Sequence, residues 1–490
     1  MNTSTTEKLS FIEKAGYSLG DLAANLVFQT LVTFIAYYYT SVYRLELSTA
    51  SLVIALCGFF GGVVFSPIMG IIADRTRTRW GRYRPWILWT SVPFAVAVLL
   101  AFTTPDFGYT GKVIYAFITF LMLTTLYTAN NLPYASLSGV LTGNMSERNS
   151  LSSYRFVAVM VAQFIIQVLL LPLVMVLGNG DKAAGFEKIM TLFGLIAVIC
   201  FVISFLVTRE RVIEKKSEES KVTEDLTDLV HNKPWVVMIF VVILVFINLP
   251  LKGNSYIFYF ENYADRVALA HFLDQIGFSN LIGNIKSVWP NFRWPEEAST
   301  SAFSLFNGAG ILMMIVGISF TRPLADRFGK RNVFRIALFI STLFLLAFYF
   351  ISREAIIWMF LSQILHGFAY GITIPLLWAM IADVADYSEW KNHRRATAII
   401  FSAMNLGLKA GVAIGGPFLL GILGYYGYDQ NATVQSEQAI YGIKLTVSVF
   451  CSIPFFAAAF LMFLYEIDKK TETVIEQELA DRHRNTDVSD

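Results

Sequence analysis

The sequence predicts an all-α membrane protein with twelve transmembrane helices in two six-helix bundles. Three observations predict it: a composition too apolar for a soluble globule, apolar runs of membrane length along most of the chain, and a basic loop motif that returns at the equivalent point of the second half. Of 490 residues, 55% are hydrophobic and 15% charged, whereas soluble domains carry about a quarter charged residues; the mean hydropathy is positive. Such a chain is solvated by lipid. About 20 helical residues cross a hydrocarbon core of roughly 30 Å, and in lipid each run must be helical because every backbone amide needs an internal partner.

The apolar segments place helices near 15–42, 48–74, 85–104, 112–141, 150–177 and 188–208, then 234–262, 300–321, 332–352, 355–383, 396–425 and 439–466. This gives an N-terminal bundle over 1–208, a linker over 209–233 rich in Glu, Lys and Ser, a C-terminal bundle over 234–466 and a polar tail over 467–490. Residues 1–14 lack the basic-then-apolar design of a cleavable signal, so the first helix is expected to stay. The long loop over 263–299 carries His271, Asp274, Trp289 and Trp294 and is expected to hold one short cap helix. Cys57, Cys200 and Cys451 lie within apolar runs without paired spacing, which predicts small core residues and neither disulfide nor zinc site. The formal net charge of +2 argues against a nucleic-acid partner. No metal-spaced histidine pair, nucleophile motif or phosphate-cradling loop is present, so neither an enzyme, a metal nor a cofactor is expected.

Lysine and arginine gather in alternate loops. Arg75, Arg77, Arg79, Arg82 and Arg84 follow the second predicted helix, Arg322, Arg327, Lys330 and Arg331 the eighth, and Lys391, Arg394 and Arg395 the tenth; the opposite side carries singletons such as Arg44, Lys112 and Arg353. By the positive-inside rule both termini are cytoplasmic. The first of these loops runs Gly70-Ile-Ile-Ala-Asp74-Arg75 to Arg79-Trp80-Gly81-Arg82, and Pro323-Leu-Ala-Asp326-Arg327-Phe-Gly329-Lys330-Arg331 echoes it. The match to the signature G-x-x-x-D-R-x-x-x-R-x-G-R of major-facilitator transporters is complete, so the expected fold is the major facilitator fold, whose two repeats work about a central site. Asp74, Arg75, Arg79 and Arg82, with Asp326 and Arg327, are expected to form a cytoplasmic gate in which the aspartate pairs with arginines in one conformation and releases them in the other. The plainer alternative is a basic loop that anchors the chain.

Charges inside spans cost about 2.5 to 3.5 kcal/mol each and tend to face cavities. At about 1.5 Å of rise per residue, Asp21 lies roughly 9 Å deep, Asn131 roughly 15 Å, Arg155 roughly 8 Å and Lys409 roughly 20 Å. Asp21 shares a helix face with Asn25, and Thr128 with Asn131. Carboxylate, amide and guanidinium groups around a cavity suit a polyhydroxylated ligand, with Tyr38, Tyr134 or Trp378 offered to its apolar ring face. The alternative for the charges is an Asp21 to Arg155 ion pair that ties two helices, while the aromatics are expected to pack against lipid or in the core.

These residues resemble the glycoside-pentoside-hexuronide cation symporter family. The resemblance runs over about 8–465 and is most specific at Gly20-Asp21, Tyr37-Tyr38-Tyr39-Thr40, Ser66-Pro67-Ile68-Met69-Gly70, Arg84-Pro85-Trp86, Asn131-Leu-Pro133-Tyr134, Tyr154-Arg155, the stretch from Ala382 to Lys391, and Lys409. It implies that Asp21 and Arg155 hold the sugar, that Asn131 stands where the best-known member has an aspartate, and that Lys409 and Thr128 lie near the cation site. Asp383 and Asp386 join the cytoplasmic gate. A secondary carrier, taken as a monomer in a cell inner membrane, follows.

One departure bears on coupling. The two carboxylates that hold sodium in that member are here Ser66 and Gly62. A hard cation needs several oxygen ligands with compensating charge, so a proton, taken through Asp21, is expected over sodium, with uncoupled transport and exchange as the alternative. With Asn131 neutral, Asp21 against Arg155 and Lys409 leaves a surplus of about one positive charge, which favours an anionic sugar such as a uronate, a glucuronide or an acidic oligosaccharide bridging the three. A neutral pentoside or hexoside, and a lysolipid, are the alternatives.

Overall fold

The computed structural model describes residues 8–142, 144–211, 232–290, 292–392, 397–432 and 434–487. Most of the 209–233 linker, and Arg394 and Arg395, lie outside them. In chain order the helices are α1 (Phe11–Val42), α2 (Leu47–Arg75), α3 (Arg84–Ala101), α4 (Tyr109–Leu141), α5 (Ser150–Leu177, entered by a turn from Met145), α6 (Lys182–Val207) and α7 (Lys233–Asn262). There follow α8 (Arg266–Gln275), α9 (Phe278–Val288), α10 (Ala298–Phe328), α11 (Lys330–Ala347), α12 (Ile356–Asn392), α13 (Thr397–Tyr425), α14 (Glu437–Leu461) and α15 (Lys469–Asp487). Among the described residues 11 helices are long and apolar enough to cross a membrane. The remaining membrane helix, α11, opens with Lys330, Arg331 and Arg335, which shorten its apolar stretch.

Two expectations change. The loop over 263–299 holds two helices, α8 and α9, not one; Asp265 starts α8 by accepting the Ala268 N–H at 2.8 Å. The tail is not merely polar. Asp468 accepts from the Thr471 N–H and hydroxyl, each at 2.9 Å, and opens α15, which buries Ile475 and Leu479 and packs on α12.

Two compact units divide the chain. The first comprises segments within 1–215, 253–305 and 416–442, the second segments within 216–252, 306–415 and 443–490. In the first, α1 packs on α5 and α6, and α3 on α4 and α6. Its central element is α1: 72% of its apolar window is buried, against 33% for α2 and for α5, whose Leu52, Ile71, Val157 and similar residues face outward. Tyr38 takes the packing role expected of the aromatics: it is core, fully buried with Phe102 and Phe186 at 4.8 and 5.3 Å between ring centroids. In the second unit α11 packs on α12 and α14. There α10 and α12 meet backbone to backbone, since a Cβ on Gly367 or Gly371 would lie 2.4 or 2.1 Å from a carbonyl oxygen of α10.

Candidate functional site

In the first unit, α1 brings Asp21 against α4 and α5. The Asp21 carboxylate is buried, and Arg155 reaches it with Nε at 2.5 Å from Oδ2 and Nη2 at 3.5 Å from Oδ1. Two tyrosines frame the pair. The Tyr17 and Tyr134 rings stack at 4.5 Å, each hydroxyl donates to the other residue's backbone carbonyl, at 2.7 and 2.6 Å, and the Arg155 guanidinium lies 5.7 Å from both ring centroids. Tyr134 is therefore sealed in the core and braces the carboxylate; it offers no open face to a sugar. Gly20 is what lets it approach, because a Cβ there would lie 2.3 Å from its ring.

The arrangement leaves binding capacity on one side. The Asp21 side chain is 6% accessible and that of Arg155 28%. With Nε and Nη2 turned to Asp21, the Nη1 edge of Arg155 makes no hydrogen bond among the described residues. A guanidinium edge of that kind suits a carboxylate or a pair of vicinal hydroxyls.

The other expected residues divide. Asn25 spends its amide on the Asp21 carbonyl at 2.9 Å. Asn131 is half-buried, while its neighbour Asn130 is buried and donates to Thr90 Oγ at 2.8 Å. Thr128 and Ser66 donate to the Gly61 and Gly62 carbonyls at 2.9 and 2.5 Å, within the π-helical turn Gly58–Val64 of α2. Lys409 on α13 and Trp378 on α12 belong to the second unit, the first half-buried and the second 37% exposed.

The motif loop of the first unit is organised by a residue outside the motif. Glu210 accepts the backbone N–H groups of Arg82, Tyr83 and Arg84 at 2.8, 2.8 and 3.0 Å. Gly81 has φ +113°, and a Cβ there would lie 2.4 Å from the Glu210 carboxyl. Asp74, expected to pair with arginines, accepts from the Tyr83 hydroxyl at 2.8 Å. Burial pushes that phenol up to about 12, so it stays a donor. Arg75 and Arg79 are exposed, and Arg82 half-buried.

In the second unit Lys330 joins Asp383 and the tail residue Glu472, both at 2.7 Å. Asp326 pairs with Arg322 at 3.7 Å, both exposed; Arg327 is exposed and Asp386 half-buried. Sequence reasoning missed Glu210 and Glu472, because it read both segments as solvated charge.

A further cluster of the first unit was also missed. The Tyr37 hydroxyl, Lys182 Nζ and Glu261 Oε1 form a triangle of 2.7, 2.8 and 2.7 Å. They line a cavity of about 590 Å³ with Arg44, Arg266 and Tyr428. Neither Asp21 nor Arg155 lines it. Asn254 ties α7 to α1 nearby, accepting the Ala36 N–H at 3.1 Å and donating to the Val32 carbonyl at 2.6 Å.

A family profile of MFS/sugar transport proteins matches residues 16–291 and 297–469. The chain is 31% identical over 479 residues to the putative glycoside/cation symporter YagG of Escherichia coli strain K12, covering 97% of this chain and 96% of YagG. It is 29% identical over 473 residues to the isoprimeverose transporter of Lactiplantibacillus pentosus, covering 93% and 89%. The crystal structure of the nucleoside transporter NupG matches with a TM-score of 0.57 at 14% identity over 94% of this chain and 100% of that one, a likeness of fold alone.

Proposed function

Because the chain belongs to the MFS sugar-transport family, we propose that this multi-pass membrane transporter carries an anionic sugar derivative, a uronate or glucuronide, with Asp21 and Arg155 as its binding pair. The unspent Nη1 edge of Arg155 beside a buried carboxylate carries this reading. An arginine already neutralised on one edge can take a carboxylate or vicinal diol on the other without leaving its partner. Asn131 and Lys409 add a neutral amide and a second cation, so the polar side chains proposed to meet substrate sum to about one positive charge.

Transport is by alternating access of bundles 1–208 and 234–466 in an inner membrane, with both termini and the basic loops after α2 and α10 on the cytoplasmic side, where Asp74, Arg75, Arg79, Arg82, Asp326, Arg327, Asp383 and Asp386 belong to the lock. Coupling is to protons, since Ser66 and Gly62 give sodium no carboxylate. A second reading, a neutral xyloside as substrate, is favoured by the likeness to the isoprimeverose transporter. Uptake of labelled glucuronate and of a xyloside into proteoliposomes, each with an inward proton or sodium gradient, separates them. Proton-driven, saturable glucuronate uptake is expected; sodium-driven uptake of the xyloside alone would overturn both the anion and the proton.

A further inference from the structure

The second unit places two bases side by side within the membrane, Lys252 half-buried and His366 buried. Lys252 lies between Pro250 and Gly253 in α7, roughly 28 Å along the helix from Lys233 at about 1.5 Å per residue. His366 lies roughly 15 Å into α12 by the same rise. Lys252 Nζ is 2.8 Å from His366 Nε2, and the imidazole is 1% exposed.

The surroundings fix the tautomer. His366 Nδ1 faces the backbone carbonyl of Ser341 on α11 at 3.0 Å, and the Ser341 hydroxyl at 2.9 Å. A carbonyl only accepts, so Nδ1 carries the hydrogen and Nε2 presents its lone pair to the amine. The ring lies beside Tyr370 and Phe455, nearly parallel to both at 5.9 and 6.4 Å, those two rings being 5.6 Å apart, and Lys252 Nζ sits 5.3 Å from the Tyr370 centroid. Tyr370 from α12 and the Cys451 thiol from α14 are titratable groups that face the pair, and α11 contributes Ser341.

Two bases at this distance in a low-dielectric interior cannot both be cationic, because repulsion between like charges rises steeply there. They can share one added proton, as a Lys252 ammonium donating to neutral His366, or hold none, as a neutral amine making the same bond. A titratable group within a membrane span is expensive to insert and most often marks an ion pathway. Nothing in the sugar-binding reading uses this pair.

We propose that Lys252 and His366 are the proton-binding site through which transport is coupled to the proton gradient, an inference that rests on the proton-coupled reading above. The proton comes from water at one membrane face, is held at Nζ against Nε2, and returns to water at the other face; no bond other than N–H forms or breaks.

The test uses full-length protein in liposomes with the variants His366→Gln, which keeps an acceptor but does not titrate, and Lys252→Met. Counterflow of labelled glucuronate or xyloside at equal pH needs no net proton movement and is expected within about 3-fold of the unaltered protein. Accumulation driven by a pH gradient, and the internal acidification that accompanies it, are expected to fall at least 10-fold. Undiminished gradient-driven accumulation in either variant overturns the proposal. If the unaltered protein moves neither sugar, the transport reading fails separately, and ¹⁵N-histidine NMR decides the site: a single step in the His366 Nε2 resonance with pH, absent in Lys252→Met, supports it, and no step overturns it.

Discussion

The two units hold ionisable pairs of opposite kind, each with one partner buried and one half-buried. In the first, a carboxylate meets a guanidinium, and the pair is neutral as a whole. In the second, an amine meets an imidazole, and its charge depends on how many protons are present. Both sit beside a stacked pair of aromatic rings, Tyr17 and Tyr134 next to Arg155, Tyr370 and Phe455 next to His366. A self-neutralised pair survives burial and keeps a directional edge for a ligand, whereas a pair of bases is suited to counting protons.

The largest expected effect comes from breaking the first pair on one side. Asp21→Asn or Arg155→Gln should cut transport at least 100-fold, and Asp21→Asn, which orphans a half-buried guanidinium, should also lower stability, by less than the about 3 to 5 kcal/mol of a fully buried pair. Saturable uptake in either single variant would remove the binding assignment. Next comes the frame: Gly20→Ala forces a Cβ to 2.3 Å from the Tyr134 ring, an overpacking worth about 1 to 3 kcal/mol. Its thermal midpoint should fall while Lys252→Met leaves that midpoint closer to normal, since the amine's neighbours remain packed.

Smaller effects lie at the cytoplasmic loops. Glu210→Ala orphans three backbone N–H groups, at about 1 to 3 kcal/mol per buried donor and less where water reaches them, and should speed tryptic cleavage at Arg79 without changing substrate affinity. Smallest is the tail cap. Asp468→Ala should cost about 1 kcal/mol of α15 stability, read as faster amide exchange near Lys469. The Asp468 carboxyl is held below its usual value by the Thr471 backbone N–H first and its hydroxyl second. The cap is therefore fully present above the ordinary carboxylate range and is lost as pH falls through that lowered value.

Helix positions and the Asp21 to Arg155 pairing were legible because lipid leaves the backbone little choice and because a lone charge in an apolar run is conspicuous. Lys252, isolated between Val236 and Phe260, gave the same signal and was overlooked, as was His366. Other features needed three dimensions. Asn130 and Asn131 are adjacent, and only the phase of α4 against α3 decides which is buried. Core packing is the expected role of Tyr134, but its partner Tyr17, far away in sequence, is not legible from the chain. Glu210 sat in a charged stretch whose composition reads as solvated linker, and its role depends on a glycine at positive φ about 130 residues earlier. The start of α15, by contrast, was available in Asp468 followed by Thr471 and Glu472, a capping pattern.

The most direct test of the Asp21 and Arg155 assignment is the double variant Asp21→Asn with Arg155→Gln, measured for thermal stability and for glucuronate and xyloside counterflow side by side. Replacing both charges leaves neither one orphaned, so the double variant should recover most of the stability lost by Asp21→Asn. Near-normal stability with counterflow abolished for both sugars is the predicted result. Near-normal stability with saturable counterflow retained would show that the pair ties α1 to α5 and that substrate binds elsewhere.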